Sequence, residues 1–467
     1  MYNKYIIILL FLICKMNAQN TLSIDNVVEI VFKNSNQIQI LKNNNLKKNI
    51  ESDFHRISLL PKISSSISFP YQRSISEVIQ SNGSQQFIER NFLNSTLNLN
   101  ISQVLPFTGG TLGITSSINS ARDFNNKTSN FSSNWFSISY QQSINGFNSF
   151  KWDKKRDPLE TEKKSLDFIK EKLKLKYDVS KVYLETQLIQ LKLRLLDSNI
   201  KKTEEILYQL EEKFKYGRVI KIEVQEAKLT LQQFKDQLNN SNLEYLYGIE
   251  SLKHLMKYDA KNDFSLIAVE KNDFLIDKDE LITAIKKNGI DLDKAIKLLE
   301  VNSNIEKVKK DGSIIINLQV GTGLNSSANN LANLYELPSQ SQYITLSTKI
   351  PILDWGKSKK NYSIAKIEKE NLELTTNITE NKITEQINDL INYKISIDSK
   401  LKSLKEQLNL SQEINEMFEE LLDRNRKTIA EYKTQLAESF TINLEYQKSI
   451  NDLYLLKLKI NEFYLTL

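Results

Sequence analysis

The chain has 467 residues, with 63 basic and 57 acidic side chains and a net charge of +6. The two signs are interspersed along the predicted helices, which is typical of solvated helical faces and disfavours a nucleic-acid-binding protein. The chain has only 12 Gly and 6 Pro, and neither type occurs from residue 357 to 467. That last stretch is therefore free to form continuous helix.

The N-terminal segment predicts a secretory signal peptide over residues 1–18. Lys4 precedes an apolar run at 5–13, and Ala18 supplies the small residue before a cleavage point. A membrane anchor is one alternative, but the run is much shorter than the roughly 20 residues that a spanning helix needs. A lipoprotein signal at Cys14 is another, and the large residues before that cysteine disfavour it. Because the chain has 1 Cys, cleavage would exclude disulfide and zinc-thiolate chemistry from the mature protein.

The chain reads as two copies of one plan: short helices, alternating strands, then a long helical hairpin. Segments 32–38 and 286–292 occupy equivalent places in the two copies. So long a period indicates a duplicated fold, since solenoids repeat every 20 to 50 residues or so. The predicted divisions are a signal peptide (1–18), first-repeat N-terminal helices (19–60), first-repeat strands (61–146), a first long hairpin (147–256), a linker with the second-repeat short helices (257–311), second-repeat strands (312–350) and a second long hairpin (351–467).

The first long helical run carries two apolar seams. One extends from Leu166 to Leu195 and the other from Leu175 to Ile200, each in steps of three or four residues or their sum. An offset of two residues turns the seams about 200° apart around the helix axis. Such a helix needs a neighbour on each side, which favours a curved wall of helices that is polar on both surfaces.

Six segments alternate apolar and small polar residues in the manner of strands: 63–69, 93–105, 112–118, 136–144, 314–320 and 344–350. An antiparallel sheet over a soluble core is one interpretation. A transmembrane barrel, with apolar residues toward lipid and polar ones toward a wet lumen, is the other. The export signal and the lack of a long apolar helix favour the barrel. Because the smallest membrane barrels have about eight strands and lipid tolerates no open sheet edge, the chain would need copies of itself to close one.

The sequence offers no catalytic constellation, and we predict no enzyme activity, no cofactor and no metal site. The two histidines, His55 and His254, have no metal-ligand spacing. The glycines at 109–110 and 321–323 lie between predicted strands, so they indicate hairpin turns rather than a phosphate-binding loop. The paired carboxylates at 204–205 and 419–420 lie on heavily charged helices, where a solvated face is expected.

The bends of the two hairpins are the candidate functional positions. The first bend is predicted at Tyr216 and Gly217, where glycine permits a tight turn, and the second from Tyr432 to Gln435. Tyrosine and polar side chains at the end of a helical tube would close it by hydrogen bonds and charge. The candidate gate and turn residues are Tyr216, Gly217, Glu223, Gln225, Tyr432, Gln435 and Glu438.

Two motifs resemble the TolC family of outer-membrane factors from efflux pumps and type I secretion systems. The first is the turn Phe214-Lys215-Tyr216-Gly217, followed six residues later by Glu223-Val224-Gln225-Glu226-Ala227-Lys228. The second is a strand-to-helix turn with Pro351, Asp354 and Gly356 before a basic helix. The likeness covers nearly all of the mature chain. Two departures are Gln435, where the family usually has glycine, and segment 441–444, which lacks the acidic residue that some members carry.

The resemblance implies a mixed α/β membrane protein, a trimeric outer-membrane β-barrel continuous with a long periplasmic α-helical barrel, internally duplicated. It implies a homotrimer in outer-membrane lipid that works with a periplasmic adaptor and an inner-membrane transporter, and no nucleic acid. The predicted function is a passive exit duct. The alternative is a non-conducting periplasmic coiled-coil scaffold. The family's basic chain has four barrel strands, so two of the four predicted segments in the first half form an added hairpin, with residues 103–110 at its start.

Overall fold

The computed structural model describes residues 20–258, 264–424 and 426–466. The predicted signal peptide, including Cys14, lies outside these residues. The chain folds into two compact units. The first, here called the helical unit, comprises Met1–Asn45, Ser165–Ile290 and Thr379–Leu467, and the second, the sheet unit, comprises Leu46–Lys164 and Asp291–Ile378.

The helices are α1 (Ile24–Asn34), α2 (Asn36–Ser58), α3 (Ser149–Lys215), α4 (Lys221–Met256), α5 (Lys278–Ile285), α6 (Asp291–Asp311), α7 (Lys357–Asp423) and α8 (Ile429–Tyr464). A π-helical turn, Lys286–Ile290, joins α5 to α6, and a 3-10 turn covers Ala332–Tyr335. The strands are β1 (Asn20–Leu22), β2 (Lys62–Ser68), β3 (Tyr71–Ile79), β4 (Gln85–Leu105), β5 (Gly110–Asp123), β6 (Thr128–Ser143), β7 (Phe264–Leu266), β8 (Ile315–Ala328) and β9 (Ser339–Lys349).

All six predicted strand segments lie in strands of the sheet unit, namely β2, β4, β5, β6, β8 and β9. These strands follow one another across an antiparallel sheet in that order. Residues 103–110 form the end of β4, a turn and the start of β5. Among the described residues, β2 and β9 pair on one side only, so both edges of the sheet are open.

Strand β3 was not predicted; it pairs with the first half of β4, while β2 pairs with the second half. One face of β3 mixes apolar and charged side chains: Tyr71, Arg73, Ile75, Glu77 and Ile79 alternate along it. Strand alternation is recognised by a consistently apolar face. That signal is absent here, and the pairing comes instead from the long partner strand.

Contacts in the helical unit join α3 both to α4 and to α8. Lys192 of α3 pairs with Glu244 of α4 at 3.1 Å, and Asn451 of α8 donates to the Leu184 carbonyl of α3 at 3.2 Å. Leu173 and Leu184 of one seam and Leu175 and Val179 of the other are buried. The prediction that α3 needs a neighbour on each side is confirmed.

One core of the helical unit forms around α1. Its apolar side chains Val27, Val28 and Val31 are buried against Leu252 and Met256 of α4. Ser23 begins the helix by accepting a hydrogen bond from the Asn26 amide at 3.2 Å, which satisfies one of the free amides of the first turn. The amphipathic pattern of residues 24–34 is therefore explained by this packing.

The first hairpin bends where it was predicted to, between Lys215 and Lys221, with Gly217 at φ +65°. The predicted second bend, Tyr432 to Gln435, is wrong. α7 ends at Asp423 and α8 begins at Ile429, so the chain turns between these two residues. The cause is a capping box: Thr428 Oγ1 accepts from the Glu431 amide at 3.3 Å, and the Glu431 carboxylate accepts from the Thr428 amide at 2.9 Å. The Thr-x-x-Glu signal is present in the sequence and was passed over in favour of the aromatic residue.

No helix in the described part of the chain combines the length and hydropathy needed to cross a membrane. Within the same residues, no cluster of three or more His, Cys, Asp or Glu side chains is arranged to hold a metal ion. His254 lies in the last turn of α4, whereas the His55 side chain lies outside the described part.

Candidate functional site

One face of the sheet is apolar across several strands. Four isoleucines stand opposite one another in a row that crosses β2, β4, β5 and β6: Ile63, Ile101, Ile114 and Ile138. Val320 and Ile344 are paired in the same way on β8 and β9. Ile63 is 70% exposed and Ile344 79% exposed. An apolar sheet face open to its surroundings is unusual for a soluble sheet, which buries that face in a core.

The opposite face carries small polar residues. A second row of partners crosses all six in-line strands and consists of Ser64, Asn100, Thr115, Ser137, Gly323 and Ser341. Because successive strand residues point to opposite faces, every step along a strand alternates between these two surfaces. The sheet therefore has one apolar surface and one polar surface.

Charged residues are absent from the central part of these strands. None occurs in segments 63–70, 92–121, 128–144, 314–335 or 339–348. Charged residues make up 26% of the whole chain. The uncharged segments of the strands, here called the uncharged band, therefore differ strongly from the chain average. This uncharged band was not predicted, although it is visible in the sequence alone.

The predicted strand-to-helix turn begins α7. The Asp354 carboxylate accepts hydrogen bonds from the backbone amides of Gly356 and Ser358, both at 2.9 Å. These bonds satisfy amides that the first turn of a helix leaves free. Gly356 adopts φ +80°, a conformation that glycine takes without strain. Pro351 lies just beyond β9, where its missing amide proton ends the strand pairing.

At the first hairpin tip, most residues of the motif at 214–228 have structural roles. Val224 and Ala227 are buried in the tip core, while Tyr216 is 76% exposed and Gln225 is also exposed. The Glu223 carboxylate accepts from the Ile220 amide at 3.3 Å and so caps α4. The motif therefore encodes a turn, a helix cap and two packing positions.

The second tip contains a buried tyrosine. Tyr432 is 1% exposed, and its hydroxyl donates to Glu419 Oε1 at 3.2 Å. Burial, together with the nearby Glu419 carboxylate, raises the pKa of Tyr432 above its ordinary value. Gln435 is buried and donates to Ser411 Oγ at 3.4 Å, whereas Glu438 is exposed.

Glu419 joins the two hairpins. Its carboxylate also accepts from Lys202 Nζ at 2.5 Å, and Lys202 belongs to α3 of the first hairpin. A second polar link runs from Lys433 of α8 to Gln233 of α4 at 2.6 Å. Glu419 is exposed, as predicted for these carboxylates, and it also links the two hairpins, which was not predicted. Sequence alone cannot find such a link, since its partners are about 200 residues apart.

A buried apolar cluster also joins the two hairpins. It is formed by Leu196, Ile200, Ile206, Leu210, Val224, Ala227 and Phe234 of the first hairpin and Leu422, Ile429, Tyr432 and Leu436 of the second. The tips of the two hairpins thus share one core. A relative shift of the hairpins would disturb that core and both polar links together.

The fold is similar to that of several solved outer-membrane proteins. The Campylobacter jejuni CmeC outer membrane channel matches with a TM-score of 0.68 at 16% identity, covering 94% of this chain and 85% of that one. The open state of the Neisseria gonorrhoeae MtrE outer membrane channel matches at 0.65 with 12% identity, covering 95% and 89%. The outer membrane protein VceC from Vibrio cholerae matches at 0.67 with 9% identity, covering 94% and 95%.

Neither a family model nor a curated protein matches the sequence itself. The structural likeness nevertheless extends over nearly the whole chain, helices and strands together. The chain therefore has the fold of the TolC-family outer-membrane channels, as the two motifs predicted.

Proposed function

We propose that three copies of this chain form a passive exit duct through the outer membrane, which carries substrates out of the periplasm or from an inner-membrane transporter. The observation that carries the proposal is the uncharged sheet, with one apolar face, one small polar face and two open edges. In lipid an open edge leaves backbone groups without partners, so the edges must be paired. Pairing β9 of one copy with β2 of the next would close a barrel of eighteen strands, and barrels of about that size enclose a water-filled channel.

Helices α2, α4 and α7 also expose stripes of apolar side chains. In the sheet unit these are Leu46, Ile50, Phe54 and Ile57 on α2, and Ile364, Ile367, Leu374 and Ile378 on α7, each about half exposed. In the helical unit they are Ile222, Leu229, Leu243 and Leu246 on α4, and Ile395, Leu410 and Met417 on α7. Seating each α7 against the α2 and α4 stripes of the next copy would bury them. The helices would then join neighbouring copies in the same order around the ring as the paired β9 and β2 strands do, which supports a homotrimer.

In this proposal, segments 61–146 and 312–350 form the outer-membrane part and the hairpins of 147–256 and 351–467 form the periplasmic part. Segments 19–60 and 257–311 lie between them in each repeat. The proposed duplication is supported by the similar segments 32–38 and 286–292. The first spans the junction of α1 and α2, and the second spans the junction of α5 and α6.

The hairpin tips are the proposed gate. Tyr216, Glu223 and Tyr432 would bias the inner end of the tunnel closed, and the Glu419 contacts would tie the hairpins together in that state. A periplasmic adaptor and an inner-membrane transporter would act on these tips and supply the energy. The duct itself would bind no cofactor and no nucleic acid.

The duct is tested by fractionation and conductance. The protein should be extracted from outer membranes in detergent as a trimer, and the purified trimer should conduct ions across a planar lipid bilayer. A soluble protein that does not conduct would refute the duct and support the periplasmic scaffold. The triple variant with alanine at Tyr216, Glu223 and Tyr432 should conduct more and admit more antibiotic, and an unchanged phenotype would remove these residues from the gate.

A sharper gate test compares two adjacent carboxylates. Glu419→Gln weakens the links to Tyr432 and Lys202. Glu420→Gln removes the same charge from an exposed residue that, within the described part of the chain, pairs only with nearby Arg424 at 2.7 Å. A hydrogen bond to a charged group is worth about 1.5–3 kcal/mol, so losing part of it should raise the open probability by about tenfold. Glu420→Gln should leave it unchanged. Equal behaviour of the two variants would exclude the Glu419 link as a gating contact.

A further inference from the structure

Basic residues gather at the end of the sheet where the strands meet the helices. Four segments of the sheet unit, here called the basic collar, lie at that end: 56–62, 145–157, 306–313 and 349–360. Together they contain thirteen basic and five acidic residues, a net charge of +8, which exceeds the +6 of the entire chain. At the other end of the strands, segments 71–91, 122–127 and 326–338 contain four of each sign. The charge is therefore concentrated on one side of the uncharged band.

Contacts join the helical parts of the collar into one surface. Trp152 of α3 donates to the Glu306 carboxylate of α6 at 2.9 Å, and Lys310 of α6 donates to the Asn145 side chain at 2.6 Å. The end of α6 adjoins the start of α7, because a Cβ placed on Gly312 would lie 2.7 Å from the Ser358 Cβ. The three helices consequently adjoin one another at this end of the sheet.

Two lysines of the collar lie over aromatic rings. Lys154 and Lys155 are exposed, and their ammonium groups lie over the rings of Phe107 at 5.9 Å and Trp152 at 5.6 Å. The acids near them are engaged elsewhere: Asp153 pairs with Arg156 at 2.8 Å. Further exposed lysines continue the collar on α6 and α7, namely Lys307, Lys309, Lys357, Lys359 and Lys360.

Exposed apolar side chains accompany this charge. Phe107 is 93%, Ile352 92% and Trp355 85% exposed. The turn that bears Phe107 lies against the apolar face of the sheet, because Tyr140 on that face contacts Thr108 Oγ1 at 3.2 Å. The collar therefore presents cationic and apolar groups side by side, next to the surface proposed to face lipid.

We propose that the basic collar binds the headgroups of anionic phospholipids in the periplasmic leaflet. Lysine ammonium groups would hold the phosphates, while Phe107 and Trp355 would enter the boundary between headgroups and acyl chains, where aromatic residues are favoured. This inference rests on the proposed membrane duct. A phospholipid fits better than an acidic polysaccharide, because only a lipid supplies apolar chains for the exposed rings and the adjoining sheet face.

The test measures lipid binding to the purified full-length trimer in an uncharged detergent. Native mass spectrometry with equal amounts of phosphatidylglycerol and phosphatidylcholine would count bound lipids at several salt concentrations. The collar variant changes Lys154, Lys155, Lys359 and Lys360 to Gln. The matched control changes four exposed lysines of the helical unit, Lys181, Lys221, Lys402 and Lys405, to Gln. A third variant places Arg at the four collar positions.

The wild type should prefer phosphatidylglycerol, and the preference should fall as salt rises. The collar variant should bind that lipid about tenfold more weakly, since each basic residue near a membrane surface adds to the attraction. The control and the Arg variant should bind as the wild type does. Equal binding of the two lipids by the wild type, equal losses in both Gln variants, or displacement of the lipid by peptidoglycan fragments would each overturn the proposal.

Conductance separates this proposal from the duct itself. The collar variant should still form conducting trimers in bilayers of phosphatidylcholine. A wild type that conducts without any lipid preference would refute the collar and leave the duct standing. A wild type that prefers the anionic lipid but never conducts would refute the duct while retaining the lipid site.

Discussion

Tyr183 fastens the small parallel sheet of β1 and β7 to α3, and the substitution Tyr183→Phe tests how much that contact contributes. The ring is fully buried, and burial raises the pKa of the hydroxyl to about 12. The hydroxyl oxygen lies 2.7 Å from the Leu22 carbonyl and 2.8 Å from the Ile267 carbonyl, and it accepts from the Ile267 amide at 2.9 Å. One oxygen thus serves the backbone of both strand ends.

The substitution removes these bonds and leaves the ring in place. The Ile267 amide keeps a longer bond to the Leu22 carbonyl at 3.2 Å, so the main loss is the partner of the Ile267 carbonyl. An unpaired buried backbone group costs about 1–3 kcal/mol. We expect a loss near 2 kcal/mol, which lowers the midpoint of thermal unfolding by about 2–4 °C per kcal/mol for a domain of this size.

Tyr454→Phe is the matched control. Tyr454 packs against the same core cluster, and burial likewise raises its pKa to about 12, but within the described part of the chain its hydroxyl has no hydrogen-bond partner. Calorimetry and hydrogen exchange at the Ile267 amide would compare the two variants. Tyr183→Phe should lower the midpoint and speed that exchange, whereas Tyr454→Phe should do neither. Equal effects would refute the assignment to the hydroxyl.

Three further predictions concern single side chains. Gly217→Ala should destabilise the first tip by about 1 kcal/mol in urea unfolding, because φ is +65° there and no atom lies within 4 Å of the added Cβ. Hydrogen bonds from Lys427 and Thr428 lower the pKa of Glu431 from 4.5 to about 2, so hydrogen-exchange protection at the second tip should weaken as pH falls through that window, and Glu431→Gln should abolish the dependence. Burial raises the pKa of the Asp452 carboxyl above its ordinary value of 3.8. Ionisation of Asp452 therefore destabilises the folded state as pH rises past 3.8. Asp452→Asn should therefore melt higher than the wild type near neutral pH and equally in acid; a constant difference would contradict this reasoning.

Local patterns predicted most of the secondary structure. The alternation of Leu97, Leu99 and Ile101 with asparagines identified β4, and comparable patterns identified five other strands. Gly217 predicted the first bend, because few other residues adopt that conformation without strain. Each of these signals lies within a few neighbouring residues, which is the range over which propensity and periodicity act.

The errors arose where local signals competed. An aromatic residue precedes the glycine at the first tip, and the same pattern wrongly predicts a turn at Tyr432. In the structure it is the fourth residue of α8, and its ring fills the shared tip core. The capping pair Thr428 and Glu431 was the stronger local signal. The uncharged band and the basic collar were not predicted, because charge patterns along single helices do not reveal which charges adjoin at the ends of the strands.

By itself the sequence determined which segments are helix and strand, which strand face is apolar, and where the charges stop. Periodicity, capping and composition carry that information, and each depends only on residues close together in the chain. Tertiary structure alone decided that Lys202, Glu419 and Tyr432 meet, that β3 extends the edge beside β2, and that lysines from α3, α6 and α7 adjoin. These contacts join residues far apart in sequence, and the packing of the long helices and the sheet register bring them together.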